Sequence, residues 1–266
     1  MLSDFLLNLI VKNHRVSKLC SRIADFIFPK STKTYRVLTG PGRNLKFRLN
    51  ARDQTAVLFG TYEHTNVLFL LKHISERTIF WDIGAYIGYF TCIMSRRLVK
   101  GSVISVEPLP QNIALLRQHI QLNNLKNVII VEKALSSSQG SASFLMPESS
   151  QEGRLVDNLE SLQEKMISVS VTTIDTLVES GVPIPDILKI DAEGEEGRIL
   201  KGARAVLERR RPSFLIEIHN LESARICWDI LSCCLYQIKF LEGVFLRKAE
   251  KVENIEGRHI WAEPVK

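Results

Sequence analysis

No run of about 18 apolar residues occurs in the 266-residue chain, so the sequence predicts no membrane-spanning helix. Glycine (14) and proline (9) are too few for a long low-complexity linker or a collagen-like repeat. The five cysteines are Cys20, Cys92, Cys227, Cys233 and Cys234, and no two stand in a CxxC pair or a zinc-binding spacing with histidine. An odd, scattered set argues against a disulfide scaffold and suits a reducing, cytoplasmic compartment. Cys92 and Cys227 then read as core packing. What is present, 45% hydrophobic and 24% charged residues, is the composition of a globular chain rather than a disordered one. The length allows one large domain with an appendage.

The net charge of +6 is unevenly spread. Residues 1–52 hold eleven Lys and Arg against Asp4 and Asp25, whereas the remainder holds 24 basic against 27 acidic residues. A nucleic-acid enzyme would concentrate basic charge around its active domain, so nucleic acid is not favoured as a partner. Within residues 2–28, Leu2, Phe5, Leu6, Leu9, Ile10, Val16, Leu19, Ile23, Phe26 and Ile27 recur at helical spacing, with Lys12, Arg15, Lys18 and Arg22 between them. The positive charge follows the apolar stretch instead of preceding it, unlike a secretory signal. Two readings stay open: a peripheral amphipathic helix over residues 1–28 lying on an anionic membrane, or a helix packed on the main domain or a second subunit. Leu45-Lys46-Phe47-Arg48-Leu49 alternates as a strand does. Residues 1–52 therefore read as a basic helical segment with a leading hairpin, and residues 53–266 as the main domain.

From residue 54 the pattern changes. Helical stretches at 54–59 and 67–74 precede a series of short apolar strands at 78–82, 102–107, 127–131, 186–191, 213–218, 236–241 and 258–262. Helical stretches at 89–100, 112–123, 196–209 and 222–234 separate them. This predicts an α/β fold, a doubly wound and mostly parallel seven-stranded sheet that binds ligands at its C-terminal strand ends. Residues 142–145 and 169–172 read as an inserted strand pair joined by the polar stretch 147–166. Phe144, Val169 and Val171 offer an edge on which a second copy can pair, making a homodimer.

The chemistry sits at two strand ends. Phe80-Trp81-Asp82-Ile83-Gly84-Ala85-Tyr86-Ile87-Gly88 puts a glycine bend after a strand, but the second glycine of a GxGxxG fingerprint is missing. Asp82 would also repel a phosphate, so both features disfavour NAD. Glu107 ends the next strand, where a carboxylate accepts hydrogen bonds from ribose hydroxyls. A ribose at Glu107 and positive charge at Asp82 together describe S-adenosylmethionine, which has an ammonium, a sulfonium and no phosphate.

Phe80 to Thr91 (FWDIGAYIGYFT), Val106-Glu107-Pro108 with Pro110 and Asn112, Leu188 to Gly202 (LKIDAEGEEGRILKG) and Ile216-Glu217-Ile218-His219 stand in order. These four blocks resemble the FkbM family of methyltransferases, over roughly residues 55–262. The resemblance implies the Rossmann-like class I methyltransferase fold and O-methylation of hydroxyls on sugars, glycolipids or other natural products. It implies that Asp82, Gly84, Ala85 and Gly88 surround the methionine end of the cofactor. Glu107, followed by Pro108, would hold the ribose, and Ala134 in Glu132-Lys133-Ala134-Leu135 would lie beside adenine. Asp191 would belong to the same cofactor site, and Glu63 in Thr61-Tyr62-Glu63 would cap the amino group.

Methyl transfer to an alcohol needs the hydroxyl held about 3 Å from the methyl and its proton removed. Candidates at the ends of the fourth and fifth strands are Asp191, Glu193, Glu217 and His219, with His219 the natural base near neutral pH. Asp191, Glu193 and Glu217 could also hold a divalent metal, which is not favoured because acidic side chains at a helix start are stabilised by its dipole. The leading expectation is an O-methyltransferase acting on a small-molecule or glycan acceptor. The alternatives are an RNA or protein methyltransferase, or a catalytically inactive cofactor-binding scaffold at a membrane surface. Against the nucleic-acid reading, Asp191-Ala192-Glu193-Gly194 stands where a Pro-Pro-aromatic run would grip a planar amine.

Overall fold

The computed structural model describes residues 31–146, 154–155 and 165–265. The helix expected over residues 2–28 and most of the polar stretch 147–166 lie outside them. The first elements among the described residues are a two-stranded antiparallel ribbon of β1 (Lys33–Arg36) and β2 (Lys46–Leu49). Its alternation has the expected consequence: Phe47 and Leu49 are buried while Arg48 is exposed. Both buried residues join one apolar cluster with Val67, Phe80 and Trp261. The short helices α1 (Thr55–Phe59) and α2 (His64–His73) follow.

The central layer begins with β3 (Ile79–Ile83), β4 (Ser102–Val106) and β5 (Val128–Val131), linked by α3 (Tyr89–Arg97) and α4 (Pro110–Leu122). A side sheet comes next, from β6 (Ala134–Leu135), β7 (Gly140–Met146), β8 (Arg154–Leu155) and β9 (Lys165–Thr172), in the order β6-β9-β7-β8. Then come α5 (Ile174–Glu179), β10 (Ile187–Ile190), α6 (Glu196–Lys201), α7 (Arg204–Arg209), β11 (Ser213–Glu217) and α8 (Leu221–Cys233). The chain closes with β12 (Tyr236–Glu242), β13 (Phe245–Lys248) and β14 (His259–Pro264). Among the described residues the central sheet has eight strands in the order β13-β12-β14-β11-β10-β3-β4-β5. The five from β11 to β5 are parallel, and β14 runs antiparallel to both of its neighbours. The sheet is thus mostly parallel and doubly wound, with one strand more than the seven predicted. The extra strand, β13, is a hairpin return on β12 at the sheet edge, carrying exposed residues such as Phe245. It gives no buried apolar run by which a sequence reading could find it.

Two helical details also differ. The single helix expected over 196–209 breaks at Gly202 and Ala203 into α6 and α7. A Cβ on Gly202 would lie 2.3 Å from the Ser136 carbonyl oxygen, and the Asp175 carboxylate accepts from Ala205 N (2.9 Å) and Val206 N (3.0 Å), starting α7 anew. Helix α5 was not foreseen; its Thr173 cap accepts from Thr176 N at 3.0 Å. No helix among the described residues is long and apolar enough to cross a membrane.

Parallel strands bring the ends of β3, β4, β10 and β11 to one edge of the sheet. Because β14 is antiparallel, its first residue meets them there, with His259 directly opposite Glu217.

Candidate active site

A cavity opens at this edge. Gly84 and Ala85 after β3, Glu107 and Pro108 after β4, Ala134 of β6, and Asp191 and Glu193 after β10 line it. Tyr62, Tyr86, Tyr89 and Phe90 add aromatic surface to the wall. Leu109, Ala134 and Phe144, which belong to one small apolar cluster, line the cavity as well.

Glu107 is almost wholly buried and works hard for the frame. Its Oε2 accepts from Tyr86 N (2.8 Å), and its Oε1 accepts from Leu109 N (3.0 Å) and Asn112 Nδ2 (3.1 Å). Burial pushes its pKa up, and these three donors pull against that without cancelling it. A carboxylate offers about four lone-pair sites, so about one is left for a ligand.

The two glycines have backbone reasons. Gly84 has φ +73°, and a Cβ there would sit 1.8 Å from the Asp191 carbonyl oxygen. Glycine is needed because the turns after β3 and β10 touch. Gly88, at φ +84°, would strike the Leu116 side chain at 2.3 Å. It does not line the cavity; it opens α3 against α4.

Asp82 also differs from its expected place. Its side chain is buried behind the cavity wall, accepts from Thr91 Oγ1 at 2.6 Å, and does not reach the lining. The residue between it and the cavity is Lys189, which the sequence reading passed over. The Lys189 ammonium stands 3.0 Å from Asp191 Oδ2 and 4.0 Å from Asp82 Oδ1, and 4.9 Å from the Phe90 ring centre. Burial would lower the lysine pKa, but Asp191 and Asp82 outweigh it and the net shift is upward. The converse holds at Asp191, where burial is outweighed by Lys189, His219 and His259 and the pKa falls. At Asp82 burial wins over Lys189 and Thr91, and the pKa rises.

The remaining candidates gather beside the cavity rather than on its wall. His219 Nδ1 lies 2.8 Å from Glu196 Oε1, and its Nε2 lies 3.7 Å from Asp191 Oδ1, 3.7 Å from Glu193 Oε2 and 4.0 Å from Glu217 Oε1. The other oxygen of Glu217 lies 3.1 Å from His259 Nε2, which also faces Glu63 Oε2 at 3.4 Å. Glu63 thus meets His259 and accepts from Asn66, while its neighbour Tyr62 lines the cavity. The hydrogen bond that His219 donates to Glu196, opposed by burial and helped by the Glu196, Glu193 and Asp191 charges, raises the His219 pKa to about 9. His259 is lowered by burial but raised more by Glu217 and Glu63, again to about 9. Burial would raise Glu63, but His259, Asn66 and Lys189 bring it down. Two three-residue groups, Glu63-Glu217-His259 and Asp191-Glu193-His219, each bring their ligand-type atoms within 4.8 Å. In each group the histidine Nε2 pairs with carboxylate oxygens of the other two residues.

Comparison with known proteins identifies relatives of the chain. Residues 82–249, more than half of the chain, match the family model described as the methyltransferase FkbM domain. The hexuronic acid methyltransferase AglP of Haloferax volcanii is 33% identical over 160 residues, which cover 59% of this chain and 62% of that protein. This chain therefore spans less than two thirds of that relative. Among solved structures, the methyltransferase FkbM of Methylobacillus flagellatus KT aligns at 18% identity and a TM-score of 0.46, covering 71% of this chain and 44% of that one. The precorrin-6y C5,15-methyltransferase of Geobacter metallireducens GS-15 aligns at 16% identity and a TM-score of 0.46, covering 76% and 88%. The fold rests on the strand order above rather than on these two scores.

Proposed function

Since the chain belongs to the FkbM methyltransferase family, we propose that it binds S-adenosylmethionine in the cavity at the sheet edge and methylates a hydroxyl of a carbohydrate or glycoconjugate. The observation that carries this reading is the pairing, in one cavity, of Glu107 at the end of β4 with the Lys189–Asp191 ion pair at the end of β10. The residues fit the group. Glu107 keeps about one acceptor site for a ribose hydroxyl. Leu109, Ala134 and Phe144 suit a purine. Lys189 and Asp191 offer one charge of each sign to an amino-acid end, and the rings of Tyr62, Tyr86, Tyr89 and Phe90 favour a cation. When bound, S-adenosylmethionine supplies a methyl group made electrophilic by its sulfonium.

The chain's own residues do the rest. The acceptor hydroxyl would lie toward Asp191 and Glu193, whose carboxylates suit the hydroxyls of a sugar as hydrogen-bond acceptors. His219 stands beside both, its Nε2 3.7 Å from each carboxylate, and would take the proton through one water as oxygen attacks. Glu217 and His259 continue the charged network away from the cavity. With a resting pKa near 9, His219 is mostly protonated at neutral pH, so its role as base requires turnover to climb with pH up to about 9. A nucleic-acid acceptor is disfavoured, because Asp191, Glu193 and Glu217 would repel a phosphate backbone. The hexuronic acid named for the Haloferax relative is the first acceptor class to try.

The test is transfer of a labelled methyl group from S-adenosylmethionine to a panel of neutral sugars, uronic acids and glycolipid headgroups, with RNA and protein as further arms. Label in a sugar alone supports the reading. Label only in RNA or protein overturns it, as does binding of the cofactor without transfer to any member of the panel.

A further inference from the structure

Glu196 is wholly buried and has no part in the steps above. We propose that Glu196 is a positioning residue that fixes the tautomer and orientation of His219, so that the Nε2 lone pair of the neutral imidazole faces the acceptor side. The inference rests on the reading of His219 as the group that takes the acceptor's proton.

The geometry carries it. Glu196 begins α6, and its Oε1 accepts from Gly194 N at 2.9 Å and from His219 Nδ1 at 2.8 Å. A carboxylate has only lone pairs to offer, so the contact at 2.8 Å requires the proton on Nδ1. In the neutral imidazole the lone pair must then be on Nε2, the nitrogen turned toward Asp191 and Glu193 on the cavity wall. The bond to Gly194 N ties the carboxylate to the β10–α6 turn that also carries Asp191 and Glu193. Buried orientation of an imidazole by a carboxylate on its far nitrogen is the arrangement by which a base is held in its working tautomer. The groups facing His219 from the packed elements are Glu196 on α6, Asp191 and Glu193 on the turn before it, and Glu217 on β11. Glu196 alone touches Nδ1 among these.

The experiment is nitrogen-15 and proton NMR of the histidine rings in the full chain, unmodified and as Glu196→Gln and Glu196→Ala, with methyl-transfer rates across pH. In the unmodified chain His219 titrates near 9 and its neutral form carries the proton on Nδ1. In Glu196→Gln the midpoint drops by at least about one pH unit as the charge is lost, and in Glu196→Ala, which leaves Nδ1 no acceptor at this position, the neutral form shifts toward the Nε2-protonated tautomer that free histidine prefers. His259, set by Glu217 and Glu63, keeps its midpoint and serves as the internal control. The maximal rate falls by about 100-fold, the scale of one general base, while the dissociation constant for S-adenosylmethionine stays unchanged. Should the glutamine variant fail to fold, Glu196→Asp keeps the charge but shortens its reach, and a midpoint below that of the unmodified chain is expected. An unchanged His219 midpoint and tautomer, or an undiminished maximal rate, overturns the proposal. Absence of methyl transfer in the unmodified chain would instead defeat the reading of its function, and the ring titration would still report on Glu196.

Discussion

Replacing Lys189 with methionine keeps the length of the side chain and removes its charge. The ammonium it deletes is 7% exposed and serves two carboxylates, Asp191 at 3.0 Å and Asp82 at 4.0 Å, the latter 1% exposed. Removing one partner of a buried pair leaves the other without compensation, at a cost of about 3–5 kcal/mol. For a domain of this size about 2–4 °C of melting temperature accompanies each kcal/mol, so Lys189→Met should lower Tm by roughly 10 °C. The cost should depend on pH in a defined direction. Burial already raises the Asp82 pKa despite Lys189, and loss of the lysine raises it further. A carboxylate with a raised folded pKa binds more protons folded than unfolded, so the variant gains stability as the pH falls through that value. Its deficit should be larger at pH 8 than at pH 5. Adding Asp82→Asn removes the buried charge and should recover about 1–3 kcal/mol, measured by urea denaturation of all four members of the cycle. A deficit under 1 kcal/mol, or one that Asp82→Asn does not reduce, would refute the view that Lys189 neutralises the site.

Three further expectations follow from the same geometry. Glu107→Gln should raise the dissociation constant for S-adenosylmethionine by roughly tenfold or more, the scale of a hydrogen bond to a charged group at about 1–3 kcal/mol, and an unchanged constant by calorimetry would move the ribose elsewhere. The raised pKa values of His219 and His259 stabilise the fold fully below about 6.5, and that stability is lost as pH rises through about 9. Tm should therefore decline between pH 7 and 10, and His219→Asn should flatten the decline; an equal slope in the variant counts against the assignment. Treatment with EDTA should leave methyl transfer unchanged, whereas a loss that added magnesium restores would call for a metal after all.

Much of this was legible in the sequence because the information is local. Central parallel strands are buried on both faces, so their apolar runs, as in Phe80–Ile83 and Val103–Val106, mark them directly. The residues just past those runs then fall on the ligand edge, which is why Gly84, Ala85, Glu107, Pro108, Ala134, Asp191 and Glu193 all line the cavity. What escaped is non-local. Lys189 interrupts a strand as a solvent-facing lysine would, and it is Asp191 two residues on together with Asp82 across the register of β10 and β3 that make it a buried cation. His259 comes from an antiparallel strand whose pairing with Glu217 no spacing reveals. Asp82 has the right residue type at the right strand end, yet it points into the core toward Thr91. Asp82 is the penultimate residue of β3, and the face it turns to depends on its neighbours across the sheet, which the one-dimensional pattern does not carry.

The central claim is tested most directly by calorimetric titration of the purified chain with S-adenosylmethionine and, separately, with NAD. The account expects saturable micromolar binding of S-adenosylmethionine, weakened in Glu107→Gln, and no binding of NAD. Binding of NAD, or of neither ligand, would contradict it.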